Sequence, residues 1–296
     1  MGRTIQTLEE SEAGNRGGFM PARRSPRRLI ANIQGMPKTG KTALALTAQK
    51  PIGYIGIEIG GEEGLIDKYI PSGKDSTSDI FVAPIRMDSP QYPARELFGE
   101  TKEGERDYQE AVSAAVQAVA GPALTKFYDA YYYSLENLAT TVVDTGTDLH
   151  EIVRLANFGR LEKVPQLAYA QVNKLMDKLF DDAKEYPGST LWLHHMKEKY
   201  ENTTDERGKL QSRATGVFDT AGYSGVKKKV QATIELWRQD REDENPETGL
   251  HVDFFGQIID SRHCAASMGK KFTTLELDFA SISMAIFPSS KRSDWV

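Results

Sequence analysis

Apolar positions in this chain fall into two rhythms that alternate along its length. Short, almost wholly apolar runs occupy 29–33, 52–59, 80–85, 140–143 and 190–193. Runs of that length predict strands buried on both faces. Between them the spacing turns helical: through Ala43-Leu44-Ala45-Leu46, over much of 88–138 with a break expected at Gly121-Pro122, over 147–158, and over 167–186 before Pro187-Gly188. Phe127, Tyr128, Tyr131, Tyr132 and Leu135 share one helical face, which predicts core packing. A long polar loop is expected over roughly 197–229, followed by strands near 231–238, 251–259 and 272–278. Strand–helix alternation of this kind predicts an α/β fold with a mainly parallel central sheet flanked by helices, closed by C-terminal antiparallel strands.

Composition sets the outer limits. With 296 residues, 39% hydrophobic and 27% charged, the chain can bury a full core. The pattern predicts a single domain over 29–287, carrying 88–138 as a helical elaboration, with a C-terminal tail at 288–296. Residues 1–28 hold six arginines against three glutamates, among Gly14, Gly17, Gly18, Pro21 and Pro26. They predict a flexible basic arm, either solvated or touching phosphates or a neighbouring subunit. The net charge of −5 means that nucleic-acid binding would need a local basic patch. Cys264 is the one cysteine, which excludes an internal disulfide and a cysteine zinc site. No apolar run is long enough to span a bilayer and no signal-peptide core opens the chain, so a cytoplasmic protein without membrane partners is expected.

The strongest chemical signal is Gly35-Met36-Pro37-Lys38-Thr39-Gly40-Lys41-Thr42, which fits G-x-x-x-x-G-K-[ST] between a predicted strand and a predicted helix. Glycines allow successive backbone N–H groups to curl around phosphate oxygens, and the helix N-terminus adds partial positive charge. In such a loop Lys41 reaches the β- and γ-phosphates and the Thr42 hydroxyl ligates Mg²⁺. Thr140-Thr141-Val142-Val143-Asp144 is an apolar strand ending in a carboxylate, placing Asp144 as the second magnesium-site residue. Thr145 follows it instead of a glutamate, so a water-activating carboxylate has to come from elsewhere. Glu58, near the end of the strand that follows the P-loop helix and so at the sheet edge that carries the phosphates, is the preferred choice, with Glu62 and Glu63 as rivals. Asn173-Lys174-Leu175-Met176-Asp177 misses the guanine-reading N-K-x-D by one position, which favours ATP.

Together these features resemble the RecA-like ATPase core, and more narrowly the compact phage RecA-type nucleotide-binding proteins, over about 29–287. The resemblance implies a polar γ-phosphate sensor after the strand beyond Asp144. His194 and His195 occupy that place where recombinases usually carry glutamine; His195 is preferred for the Met-Lys-Glu-Lys that follows it. It implies a DNA-contacting loop over about 197–229, where Lys197, Lys199, Arg207, Lys209, Arg213 and Lys227–Lys229 accompany Tyr200, Phe218 and Tyr223. It also implies an arginine finger acting on a neighbouring subunit's ATP, with Arg262 in that role and Lys270 and Lys271 behind it. The implied activity is Mg²⁺-dependent ATP hydrolysis by a ring or filament on single-stranded DNA, in recombination, annealing or replication, within the host cytoplasm if the protein is phage-encoded. Neither the usual recombinase N-terminal domain nor a primase-binding domain is expected here. A P-loop phosphotransferase and a nucleotide-gated interaction protein are the competing readings.

Overall fold

The computed structural model describes residues 28–57, 79–159, 169–204, 210–245, 247–248 and 251–296. Its first strand, β1 (Ile30–Gly35), is buried at all six positions. That burial follows from parallel neighbours on both sides and helices on both faces. The loop after β1 leads into a short helix, α1 (Lys41–Ala45), and then β2 (Ile52–Gly56) and β3 (Ile80–Pro84). A 36-residue helix, α2 (Lys102–Asn137), precedes β4 (Thr140–Asp144). Helices α3 (Gly146–Phe158) and α4 (Tyr169–Asp182) lead to β5 (Ser189–His194). These five strands run parallel, and β1 continues the parallel set into β8 (Ala232–Asp240) on its other side. Strands β9 (Val252–Ser261) and β10 (Lys271–Phe272) complete the sheet antiparallel, in the order β10-β9-β8-β1-β5-β4-β2-β3. The expected α/β class, with mainly parallel strands and an antiparallel C-terminal edge, is therefore present.

Two apolar layers sandwich the sheet. One packs α1 and the C-terminal helix α6 (Phe279–Ile286) around Leu29, Ile33, Leu44, Tyr54 and Val142. The other packs α2, α3 and α4 around Ile55, Phe127, Tyr131, Val143, Phe180 and Trp192. The aromatic face on α2 is core, as expected: Phe127, Tyr131 and Leu135 are buried, with Tyr128 and Tyr132 packed at its margin. No described helix is long and apolar enough to cross a membrane.

Four features of local structure differ from expectation. Helix α2 runs straight through Gly121-Pro122. Proline removes one amide donor there, while Val116 and Ala120 before it and Ala123, Leu124 and Phe127 after it are all buried, so packing outweighs the local loss. The polar loop is instead a two-stranded hairpin, β6 (Met196–Thr204) with β7 (Leu210–Thr220), followed by a short helix, α5 (Val226–Lys229). The strand expected at 272–278 shrinks to β10 and a turn, and α6 follows it. The expected tail at 288–296 ends in Trp295, which is fully buried and stacked on Phe287 at 5.3 Å. Residues 1–27, expected as the arm, lie outside the described residues.

Candidate phosphate and metal site

The parallel topology brings the C-terminal ends of β1, β5 and β4 to one edge of the sheet, which is where open α/β sheets bind ligands. Between β1 and α1 the loop is shaped by two glycines with separate tasks. A Cβ on Gly35 would fall 2.5 Å from Thr39 Oγ1 and 2.6 Å from the Leu236 carbonyl oxygen. Gly40 sits at φ +87°, a left-handed conformation that side chains disfavour, and its amide carbonyl starts α1 by accepting from Leu44 N–H at 2.9 Å. Thr39 Oγ1 donates to the Met36 carbonyl at 2.8 Å, tightening the loop. Met36, Pro37 and Lys38 form its exposed crest, while Thr39 and Lys41 are buried. Lys41 Nζ donates to the carbonyls of Gly35 and Met36, at 3.1 and 3.0 Å, so its ammonium is held inside the curl of the loop.

Asp144 ends β4, in register with Gly56 of β2 and Leu193 of β5. Its Oδ2 accepts from Thr42 Oγ1 at 2.6 Å and from Tyr54 Oη at 2.8 Å. The two residues assigned to magnesium from sequence, 102 positions apart, are thus in direct contact. A hydroxyl and a carboxylate at the mouth of an amide-lined loop are hard oxygen donors of the kind Mg²⁺ takes alongside phosphate. With the buried Lys41 ammonium held inside the loop, this donor set fits a magnesium–nucleotide. Thr145, after Asp144, caps α3 by accepting from Asp148 N–H at 3.1 Å, which orients that helix N-terminus toward the same sheet edge.

The two histidines separate sharply. His194 ends β5, is fully buried, and its Nδ1 lies 2.8 Å from Asn32 Oδ1. Burial pushes its imidazole down to about 3, so the ring is neutral near pH 7. Asn32 Oδ1 is an acceptor, so Nδ1 carries the proton and Nε2 faces Gly146, where a Cβ would fall 2.5 Å away. His195 lies between β5 and β6: its N–H donates to Thr147 Oγ1 at 3.0 Å and its carbonyl accepts from Ala221 N–H at 2.8 Å. It therefore joins α3, β5 and the exit of the hairpin.

A polar network runs through the buried sheet beside these histidines. Asn32 Nδ2 donates to Gln34 Oε1 at 3.4 Å and to Thr220 Oγ1 at 3.5 Å. Thr220 Oγ1 in turn donates to Gln34 Oε1, and Gln34 Nε2 donates to Glu235 Oε2 at 2.9 Å. The end of β7 is thereby tied to the strand that carries the P-loop. Sequence reasoning missed Asn32, Gln34 and Thr220, although two polar residues at i and i+2 in an otherwise apolar strand mark a shared face.

The remaining assignments are scattered. Glu58, Glu62, Glu63, Arg207 and Lys209 lie outside the described residues. Arg262 follows β9 at the sheet end opposite the P-loop, where Ala232, the first residue of β8, pairs with Ser261. Its guanidinium donates to the Lys228 carbonyl, so it does not reach the phosphate site of its own subunit. Lys270 and Lys271 are exposed beside β10. Asp177 of the near-miss guanine motif is engaged by the Tyr223 hydroxyl and by Lys229 Nζ at 3.0 Å.

The β6–β7 hairpin borders an open cleft of about 690 Å³ lined in part by Lys197, Lys199, Tyr200, Asp219 and Lys227. Tyr200 and Phe218 are 64% and 44% exposed and present free ring surface. Tyr223 does not: it is buried, with its ring 5.9 Å from Phe180. Lys199 and Lys227 both pair with Asp219, at 2.9 and 2.5 Å. Burial works against that carboxylate's charge, but bonds from Lys227, Lys199 and the Thr220 N–H outweigh it and hold the Asp219 carboxyl at about 2.

No protein-family model matches the chain, and no curated protein matches it. Among solved structures, it is similar to a KaiC-like protein, PH0186, from the hyperthermophilic archaeon Pyrococcus horikoshii OT3. The two are 15% identical, the match covers 84% of this chain and 86% of the other, and the TM-score is 0.42.

Proposed function

We propose that this protein is a Mg²⁺-dependent ATPase of the RecA-like type that works as an oligomer on single-stranded DNA. The observation that carries the nucleotide reading is the direct contact of Thr42 with Asp144 at the mouth of a loop whose glycines and lysine are all in place. A bound Mg²⁺ would supply charge neutralisation between the β- and γ-phosphates. Lys41 would hold the phosphate oxygens, and Thr42 and Asp144, already in contact, would hold the metal between them. Glu58 is the proposed water-activating carboxylate, and His195, at the junction of α3 and the hairpin, the proposed sensor. Arg262 acts only across a subunit boundary in this reading, because its own phosphate site lies at the other end of the sheet. Single-stranded DNA as partner rests on the exposed Tyr200 ring, which lines the cleft with Lys197, Lys199 and Lys227, and on the exposed Phe218 ring of the same hairpin, a combination suited to base stacking along a backbone-tracking groove.

Steady-state ATP hydrolysis, measured with and without single-stranded DNA across a protein titration, tests the whole reading. Stimulation by DNA that rises more than linearly with protein is the expected result. Turnover that is linear in protein and indifferent to DNA would overturn the oligomeric DNA role, leaving phosphotransfer to a small acceptor or nucleotide gating of a partner.

A further inference from the structure

We infer that Tyr54 is a positioning residue for the magnesium site, holding the Asp144 carboxylate in place while Thr42 exchanges its carboxylate contact for the metal. The inference rests on the magnesium–nucleotide reading above. Two O–H donors converge on the same oxygen, Oδ2 of Asp144: Thr42 at 2.6 Å and Tyr54 at 2.8 Å. They differ in what they are free to do. Thr42 lies at the start of α1 and is half-buried at the mouth of the site, so its hydroxyl can turn to a cation. Tyr54 lies in the middle of β2, is 3% exposed, and its ring is packed in the apolar layer with Leu44 and Val142. Its rotamer is therefore set by the core.

Register explains why a tyrosine suits this position. Tyr54 pairs with Val142, two residues before the Asp144 level of β4, and Gly56 stands opposite Asp144 itself. Gly56 has no side chain to orient the carboxylate. A phenol from two residues below spans the gap and delivers its O–H to Oδ2. When Thr42 leaves for Mg²⁺, the carboxylate loses one of these two donors. The phenolic O–H that stays would fix the direction in which the Asp144 carboxylate faces the metal site. Outer-shell groups that orient a metal site commonly change metal affinity by about 10–100-fold when removed.

The test is Tyr54→Phe, which keeps the ring and deletes the donor. A fluorescent ADP analogue is titrated onto wild type and variant in EDTA and again over a Mg²⁺ series. The expected result is unchanged binding in EDTA, with a Mg²⁺ midpoint raised about tenfold. An unchanged Mg²⁺ midpoint overturns the inference, whatever happens to thermal stability, because a merely structural hydroxyl would move stability alone. If the variant fails to fold, 3-fluorotyrosine at position 54 serves in its place. Its ¹⁹F resonance should shift when Mg²⁺ is added to the nucleotide-bound protein and stay still in Asp144→Asn, and an unmoved wild-type resonance overturns the inference. Wild type whose nucleotide binding ignores Mg²⁺ overturns both this inference and the reading beneath it. Wild type that responds while Tyr54→Phe matches it overturns Tyr54 alone.

Discussion

Individual side chains in this site do chemistry only through the company that the sheet gives them. Lys41 and Asp144 illustrate the point: each was legible in the sequence, one from a spaced motif and the other from an apolar strand ending in an acid. Lys41→Ala should lower nucleotide affinity by at least tenfold, and Asp144→Asn should abolish the Mg²⁺ dependence of binding while leaving the fold intact, both readable by the same fluorescent nucleotide. Tyr54 was not legible, since a tyrosine in a buried strand has the pattern of ordinary core and its hydroxyl's partner lies 90 residues away. His194 offers a prediction in pH. Its folded value, pushed down by burial to about 3, lies below the ordinary imidazole value of 6.5. Between those limits the unfolded chain binds the proton and the folded chain does not, so this residue's contribution is complete above pH 6.5 and declines as pH falls toward 3. The slope approaches about 1.4 kcal/mol per pH unit. Urea unfolding of wild type and His194→Gln over that window should show the flatter profile in the variant.

Among the elements, legibility tracked how each one buries its surface. Strands β1, β2, β4 and β5 are covered on both faces, so their apolar runs stood out against any neighbouring sequence. Among the described residues the β6–β7 hairpin pairs with no other strand, and its described side chains are mostly exposed, so neither period 2 nor a continuous apolar run marked it. Helix α2 was mis-divided because proline has a strong local preference, and the burial that overrides it at positions on either side is a tertiary fact. The hairpin also carries a prediction. Tyr200→Ala and Phe218→Ala remove exposed rings, so each should weaken single-stranded DNA binding by about 1–3 kcal/mol per stacked base, measured by fluorescence anisotropy. Basal ATP hydrolysis should remain, because neither residue contacts the P-loop.

For the molecule as a unit, the segment around Trp295 is structural. Trp295 is enclosed by Phe279 and Phe287, with ring centroids 6.0 and 5.3 Å away, and belongs to the same apolar layer as α1. Trp295→Ala should therefore destabilise the protein by about 3–5 kcal/mol, as read by denaturant unfolding. The sequence concealed this because nine residues after a predicted strand, rich in serine and charge, have the composition of a loose end. The strand order has its own consequence for how the chain comes into being. Strand β1, which leads directly into the glycine-rich loop, pairs among the described residues with β5 and β8, and the Ile30 amide bonds to Gln231, 201 residues downstream. A ribosome therefore releases the phosphate loop long before the strands that frame it exist. Until β8 emerges, the nascent chain carries an apolar strand with an open edge, the kind of surface on which chaperones act. The loop between β1 and α1 is framed on both sides only after residue 240 has been made.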